Sequence, residues 1–115
     1  RNTPTDKGGI GEVQFPMVAD VNHEITAAYG VAHPTDSVAL RASFLIDRDG
    51  MVQHQVVNNL PLGRDVDEMV RLVDALQFTE EHGEVCPAGW RKGQQGMKAD
   101  AGGVAEYLKS HADSL

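Results

Sequence analysis

The sequence predicts an α/β or α+β layer fold built on a thin sheet with flanking helices. Three observations predict it. Residues 38–46 are nearly continuous in apolar or small side chains, the pattern of a strand covered on both faces. Residues 66–78 place Val66, Met69, Val70, Val73 and Leu76 at three- and four-residue spacing, an amphipathic helical stripe. Turn-rich stretches separate these runs, so strand-like and helix-like segments alternate.

The first 14 residues read as a loop, because Thr3-Pro4-Thr5-Asp6-Lys7-Gly8-Gly9-Ile10-Gly11 holds three glycines and a proline. Residues 15–19 (Phe-Pro-Met-Val-Ala) read as a short strand, with Pro16 near its start because it has no ladder donor. Asp20 or Asn22 can cap a helix over about 23–29, with Ile25, Ala28 and Tyr29 facing inward and Gly30 as its stop. The 38–46 strand runs into Asp47-Arg48-Asp49-Gly50, a hairpin turn in which Gly50 can take positive φ. Residues 51–57 form the return strand, which should be an edge. A loop over 58–64 leads to Asp65 or Asp67, either able to cap the longest helix, about 66–78. Residues 80–101 look irregular, and a last short helix, about 104–111, carries Tyr107 and Leu108 toward the body. Three strands and two main helices are thin for a sheet covered on both faces. The expectation is that upstream sequence or a partner chain completes it.

Composition bounds the function. The chain has 115 residues, one domain's worth, with 41% hydrophobic and 23% charged residues. The net charge of −7 and the absence of a basic cluster argue against nucleic acid or an anionic membrane as partner. No apolar run approaches the roughly 20 residues of a membrane span. One cysteine excludes an internal disulfide framework and any zinc site needing several thiolates. The five histidines lack helical i, i+4 ligand spacing, so no metal is expected. The chain starts with Arg rather than Met, as a processed form or a fragment would.

Two residue types stand out. Cys86 lies in Gly83-Glu84-Val85-Cys86-Pro87-Ala88-Gly89-Trp90. A lone cysteine is most often a buried small hydrophobe. This one follows a helix and lies among Gly and Pro, which favours a reachable thiol that could pair only with another chain or with sequence outside these residues. Arg41 interrupts an apolar strand between the small residues Ala39 and Ser43. It is either an edge arginine reaching solvent or a permanent cation facing a functional pocket, since an unpaired buried charge is too costly. In a pocket it could lower a thiol's pKa and hold a developing oxyanion.

Taken in order, Gly8-Gly9-Ile10-Gly11, Phe15-Pro16-Met17-Val18-Ala19-Asp20, Leu40-Arg41-Ala42-Ser43-Phe44-Leu45-Ile46-Asp47, Val57-Asn58-Asn59-Leu60-Pro61-Leu62-Gly63-Arg64 and Glu81-His82-Gly83-Glu84-Val85-Cys86-Pro87-Ala88-Gly89-Trp90 carry a resemblance. With Arg1-Asn2-Thr3-Pro4 before them, which resembles the end of a helix, they resemble the C-terminal part of a typical two-cysteine peroxiredoxin. The type is that of bacterial alkyl hydroperoxide reductase C or thioredoxin peroxidase, and the likeness runs from Arg1 to about Leu108. The resemblance implies a thioredoxin-like fold. Residues 1–79 would be the C-terminal part of that domain, and 80–115 an extension carrying the resolving cysteine. It implies a thiol peroxidase reducing hydrogen peroxide and alkyl hydroperoxides through an intersubunit disulfide. Cys86 would be the resolving cysteine, Arg41 would stabilise the peroxidatic thiolate and the peroxide, and Arg64 would support that network. The implied partners are a second copy, with rings of five dimers, and thioredoxin or a flavoprotein disulfide reductase. No cofactor is implied, and the implied location is cytoplasmic.

Two departures qualify the resemblance. The family's Tyr-Phe pair in the last helix is Tyr107-Leu108 here. The family's Pro-x-x-x-Thr-x-x-Cys motif, which carries the peroxidatic cysteine, does not occur in these 115 residues. The expectation is therefore that this chain alone is inactive. The competing reading is a truncated, non-catalytic dimerisation or holdase-like module.

Overall fold

The computed structural model describes residues 3–114, so Arg1, Asn2 and Leu115, including the start of the Arg1-Asn2-Thr3-Pro4 motif, lie outside the described residues. The chain forms two compact units, residues 1–32 and 33–115.

In the first unit, a 3₁₀ turn over Thr5–Lys7 is followed by a tight knot of glycines. Gly11 N donates to Thr3 O at 2.9 Å and Gly9 N to Pro4 O at 3.1 Å. A Cβ on Gly9 would lie 2.2 Å from Thr3 O, so the chain can close on itself only with glycine there. Residues 15–19 do not form the expected strand. A strand is held by ladder bonds to a neighbour, and among the described residues none pairs with this segment. Phe15 and Val18 are 60% and 73% exposed. Helix α1 spans Glu24–Ala28, shorter by about a residue at each end than expected. Asp20 holds its start: the carboxylate accepts from Ile25 N at 3.0 Å, Thr26 N at 2.9 Å and Thr26 Oγ1 at 2.6 Å. These bonds, Thr26's hydroxyl first, pull the Asp20 carboxyl below its ordinary range. The expected inward face is not covered, since Ile25, Ala28 and Tyr29 are exposed.

The second unit contains the sheet. Strands β1 (Arg41–Ile46) and β2 (Val52–Asn58) form an antiparallel hairpin with Arg41 opposite Asn58 and Leu45 opposite His54. The register shifts between Leu45 and Ile46, next to the turn. Asp47 builds that turn. Its Oδ1 accepts from Asp49 N and Met51 N, both at 2.9 Å, and its Oδ2 accepts from Gln53 Nε2 at 2.8 Å. Gly50 takes φ 80° there, as the sequence predicts. β1 is only half-buried, not covered on both faces. Helix α2 packs against it, and a strand is fully buried only where layers lie on both sides.

Helix α2 spans Val66–His82, one turn longer than its apolar stripe. Asp65 caps it by accepting from Glu68 N at 3.2 Å. It stops at Gly83, whose φ of 68° closes the helix through Gly83 N to Thr79 O at 2.9 Å. The stripe ends near Phe78, but Thr79, Glu80, Glu81 and His82 oppose helix weakly, so the stop falls at the glycine. Residues 83–100 are irregular apart from an antiparallel bridge between Val85 and Met97. Helix α3 spans Ala101–His111, capped by Asp100 accepting from Gly103 N at 2.6 Å. Tyr107 is half-buried and stacks on His111, ring centroids 4.2 Å apart. Leu108 is 43% exposed, so the helix does not bring both residues inward as expected. No helix among the described residues is long and apolar enough to cross a membrane.

Candidate functional site: the Cys86 segment and the arginine pair

Cys86 sits four residues past the C-terminus of α2, on a loop that turns back along the helix. Its thiol is half-buried and unpaired by any disulfide. Sγ donates to Ala75 O at 3.5 Å and lies 3.8 Å from Thr79 Oγ1, so the sulfur rests against the last two turns of α2. The loop is shaped by Trp90 N donating to Pro87 O at 3.0 Å, with Gly89 at φ 74° supplying the positive φ such a turn needs. A cleft of about 410 Å3 opens beside the sulfur, bounded by Leu45, His54, Arg71, Leu76 and Pro87 among others.

Trp90, only 2% exposed, anchors the loop's far end. Its indole Nε1 donates to Gln94 O at 3.1 Å, and its ring packs on Phe78 with centroids 4.9 Å apart. Phe78 in turn touches His82, centroids 4.5 Å apart. Gly96 passes so close that a Cβ there would lie 2.5 Å from the Phe78 ring.

The two arginines lie at the other end of β1. Arg41 Nε donates to Leu60 O at 3.2 Å, and Arg64 donates to Ala42 O at 3.1 Å. Asn58 Nδ2 donates to Gly63 O at 3.0 Å and closes the loop that carries both contacts. Arg41 and Arg64 are thus brought together across the 58–64 loop, both exposed. A guanidinium carries five N–H donors, so one carbonyl bond does not exhaust either side chain. Arg41 does not line the Cys86 cleft, which meets β1 at Leu45. Four residues of strand, about 13 Å, separate Arg41 from that point. Within this chain neither Arg41 nor Arg64 lines the cleft beside the Cys86 thiol.

Sequence reasoning missed Arg71. Its Nε and one terminal nitrogen donate to Glu68 at 2.8 and 2.6 Å, and the other terminal nitrogen donates to Trp90 O at 2.6 Å. These bonds hold the Glu68 carboxyl below its ordinary range, and Glu68 in turn holds Arg71 above its own. The available signal was a Glu–Arg pair at i, i+3 with the arginine inside an apolar stripe. No group of three metal-ligating side chains gathers among the described residues.

The hairpin backed by α2 and followed by the Cys86 loop is a small α/β arrangement, and solved peroxiredoxin structures share it. The comparisons with known proteins agree. Residues 3–55 match the AhpC/TSA family, and residues 75–110, which include Cys86, match the C-terminal domain of 1-Cys peroxiredoxin. The chain superposes on the reduced 2-Cys peroxiredoxin of Plasmodium vivax with a TM-score of 0.88 and 49% identity, over 94% of this chain and 55% of that one. It is 59% identical over all 115 residues to alkyl hydroperoxide reductase C of Helicobacter pylori strain J99, covering 58% of that protein. It is 44% identical to peroxiredoxin-2 of Cricetulus griseus over 96% of this chain and 56% of that protein. The chain spans a little over half the length of the curated relatives it matches. It corresponds to the C-terminal part of the alkyl hydroperoxide reductase C/two-cysteine peroxiredoxin family.

Proposed function

We propose that the complete protein is a thiol peroxidase reducing hydrogen peroxide and alkyl hydroperoxides, with this chain supplying the resolving thiol and the arginine pair. The observation that carries the reading is 59% identity across the whole chain to an alkyl hydroperoxide reductase C, with the lone cysteine free on the loop that follows α2. A peroxidatic thiolate from outside these residues attacks the distal peroxide oxygen. The O–O bond breaks, an alcohol or water departs with a proton, and the sulfur becomes a sulfenic acid. Cys86 of a second subunit then displaces hydroxide from that sulfur, which leaves as water, and an intersubunit disulfide forms. A dithiol reductant, thioredoxin or a flavoprotein disulfide reductase, restores both thiols. Arg41 and Arg64 supply fixed positive charge for the thiolate and for the oxygen that gains charge as the O–O bond breaks.

The assembly is a homodimer, with rings of five dimers, in the cytoplasm. The edge of β2 and the exposed apolar side chains Met51, Val52 and Val57 support the dimer. The test is Cys86→Ser in the complete protein. One equivalent of peroxide should still oxidise the peroxidatic cysteine, yet non-reducing gels should show monomers rather than linked dimers. Linked dimers persisting in that variant would remove Cys86 from the mechanism.

A further inference from the structure

We propose that Arg71 is a latch that sets how readily Cys86 leaves its seat on α2. Residues 86–89 form a short loop pinned at both ends. On one side Val85 and Met97 exchange backbone bonds, Val85 N to Met97 O at 2.7 Å and Met97 N to Val85 O at 2.9 Å. On the other side Trp90 holds the loop to α2 twice, by its ring against Phe78 and by its carbonyl, which accepts from Arg71 at 2.6 Å. The thiol between them has only weak contacts of its own, to Ala75 O and Thr79 Oγ1.

The geometry makes the arginine bond a strong one. Glu68 engages the guanidinium by two bonds, which fixes the plane of the fork and leaves a terminal N–H aimed at the Trp90 carbonyl. A charged donor on a backbone carbonyl is about twice as strong as a neutral one. The Arg71 side chain is 21% exposed, so water competes poorly for this bond. Arg71 and Glu68 both sit on α2, so the latch ties the cysteine loop to the helix on which the thiol is seated.

Under the proposed function Cys86 joins a thiol of a second subunit, and the two Cα atoms must come within about 4.4–6.8 Å, so a thiol free to leave its seat reaches more partner positions than one held on α2. The importance of the latch for turnover rests on Cys86 acting as the resolving thiol. The latch itself does not, and the two can be tested apart.

Cys86 is the only cysteine and Trp90 the only tryptophan of these 115 residues, and in the complete protein the Cys86-containing peptide is followed by mass spectrometry. The first readout is the rate of Cys86 alkylation by iodoacetamide, a neutral reagent; the second is the Trp90 emission maximum. Arg71→Gln should speed alkylation about tenfold, the effect of losing one charge-assisted bond, and shift Trp90 emission to the red with far-UV helicity retained. Arg71→Lys, which keeps one donor but not the fork, should fall between Arg71→Gln and wild type. Glu68→Gln leaves the cation in place but slackens its orientation, and should accelerate alkylation by a smaller factor. Unchanged or slower alkylation in Arg71→Gln overturns the latch, slower meaning that the guanidinium assists the thiolate instead. If Arg71→Gln loses helicity, Glu68→Gln decides, and no acceleration there overturns the proposal. In the complete protein, Arg71→Gln should also speed disulfide formation after one equivalent of peroxide. Faster alkylation without faster disulfide formation would keep the latch and discard Cys86 as the resolving thiol.

Discussion

Single side chains and single hydrogens decide the shape of the cysteine loop. Gly96 carries a hydrogen where any other residue carries a carbon, and that hydrogen faces the ring of Phe78, which supports Trp90. Gly96→Ala forces the new carbon to within 2.5 Å of the ring, so ring, loop or both must shift. Overpacking of this kind costs about 1–3 kcal/mol. The expected outcome is a lower urea midpoint together with a red-shifted Trp90 emission, measured on the same samples. An unchanged midpoint and emission would mean that the loop backs away from Phe78 at no cost. Neither Gly96 nor Arg71 was legible beforehand, because both constraints arise between segments that only folding brings together. Cys86 and Arg41 were legible because each breaks its local pattern, a thiol among glycines and a charge inside an apolar strand. The distance between them was not, since it depends on where the loop after α2 meets the sheet.

At the scale of elements, local chemistry predicted what local chemistry controls. The hairpin and the Asp65 cap follow from short-range bonds and both occur, while α1 has His23 at its N-cap and takes Asp20 as an acceptor for the Ile25 and Thr26 amides. Residues 15–19 and the inward face of α1 failed because a strand and a helix face need partners, which neighbouring sequence cannot supply. The 38–46 run was read as doubly covered for the same reason: its composition reports the layers it is suited to, and α2 is the layer that packs on it here. Asp47 gives the hairpin a pH dependence. Hydrogen bonds from Met51 N and from Gln53, the former the larger effect, pull its carboxyl below the usual aspartate value. A depressed pKa means the native turn prefers the carboxylate, so this contribution is complete above about pH 4, the unfolded value. It is lost as pH falls through the lower folded value. The protection factors of the Asp49 and Met51 amides, relative to intrinsic exchange at each pH, should therefore fall on acidification to about pH 3, while Asp47→Asn, which keeps an acceptor but has no proton to gain, should flatten that dependence. Equal pH profiles for wild type and Asp47→Asn would detach the turn from this carboxylate.

At the scale of the whole molecule, the hairpin poses the remaining physical question. Among the described residues β2 pairs only with β1, and its other edge presents backbone donors and acceptors flanked by Met51, Val52 and Val57. Open strand edges of this kind bind other strands unless charge, proline or a bulge blocks them. The residues of β2 (Val-Gln-His-Gln-Val-Val-Asn) contain no Lys, Arg, Asp, Glu or Pro, and the register shift falls beside the turn rather than along the strand. Nothing in the strand's own sequence guards it. A second copy can satisfy the edge by pairing antiparallel about a twofold axis, and the proposed dimer places the two β2 strands side by side. Alternate amides along β2 point to opposite edges, so the strand reports on its own pairing. The amides directed at β1 should be protected at every concentration. Those on the opposite edge should be exposed in dilute protein and become protected as concentration rises, in step with the dimer fraction from sedimentation. A dimer that forms while the outer amides keep exchanging at the dilute rate would place the interface elsewhere on the molecule.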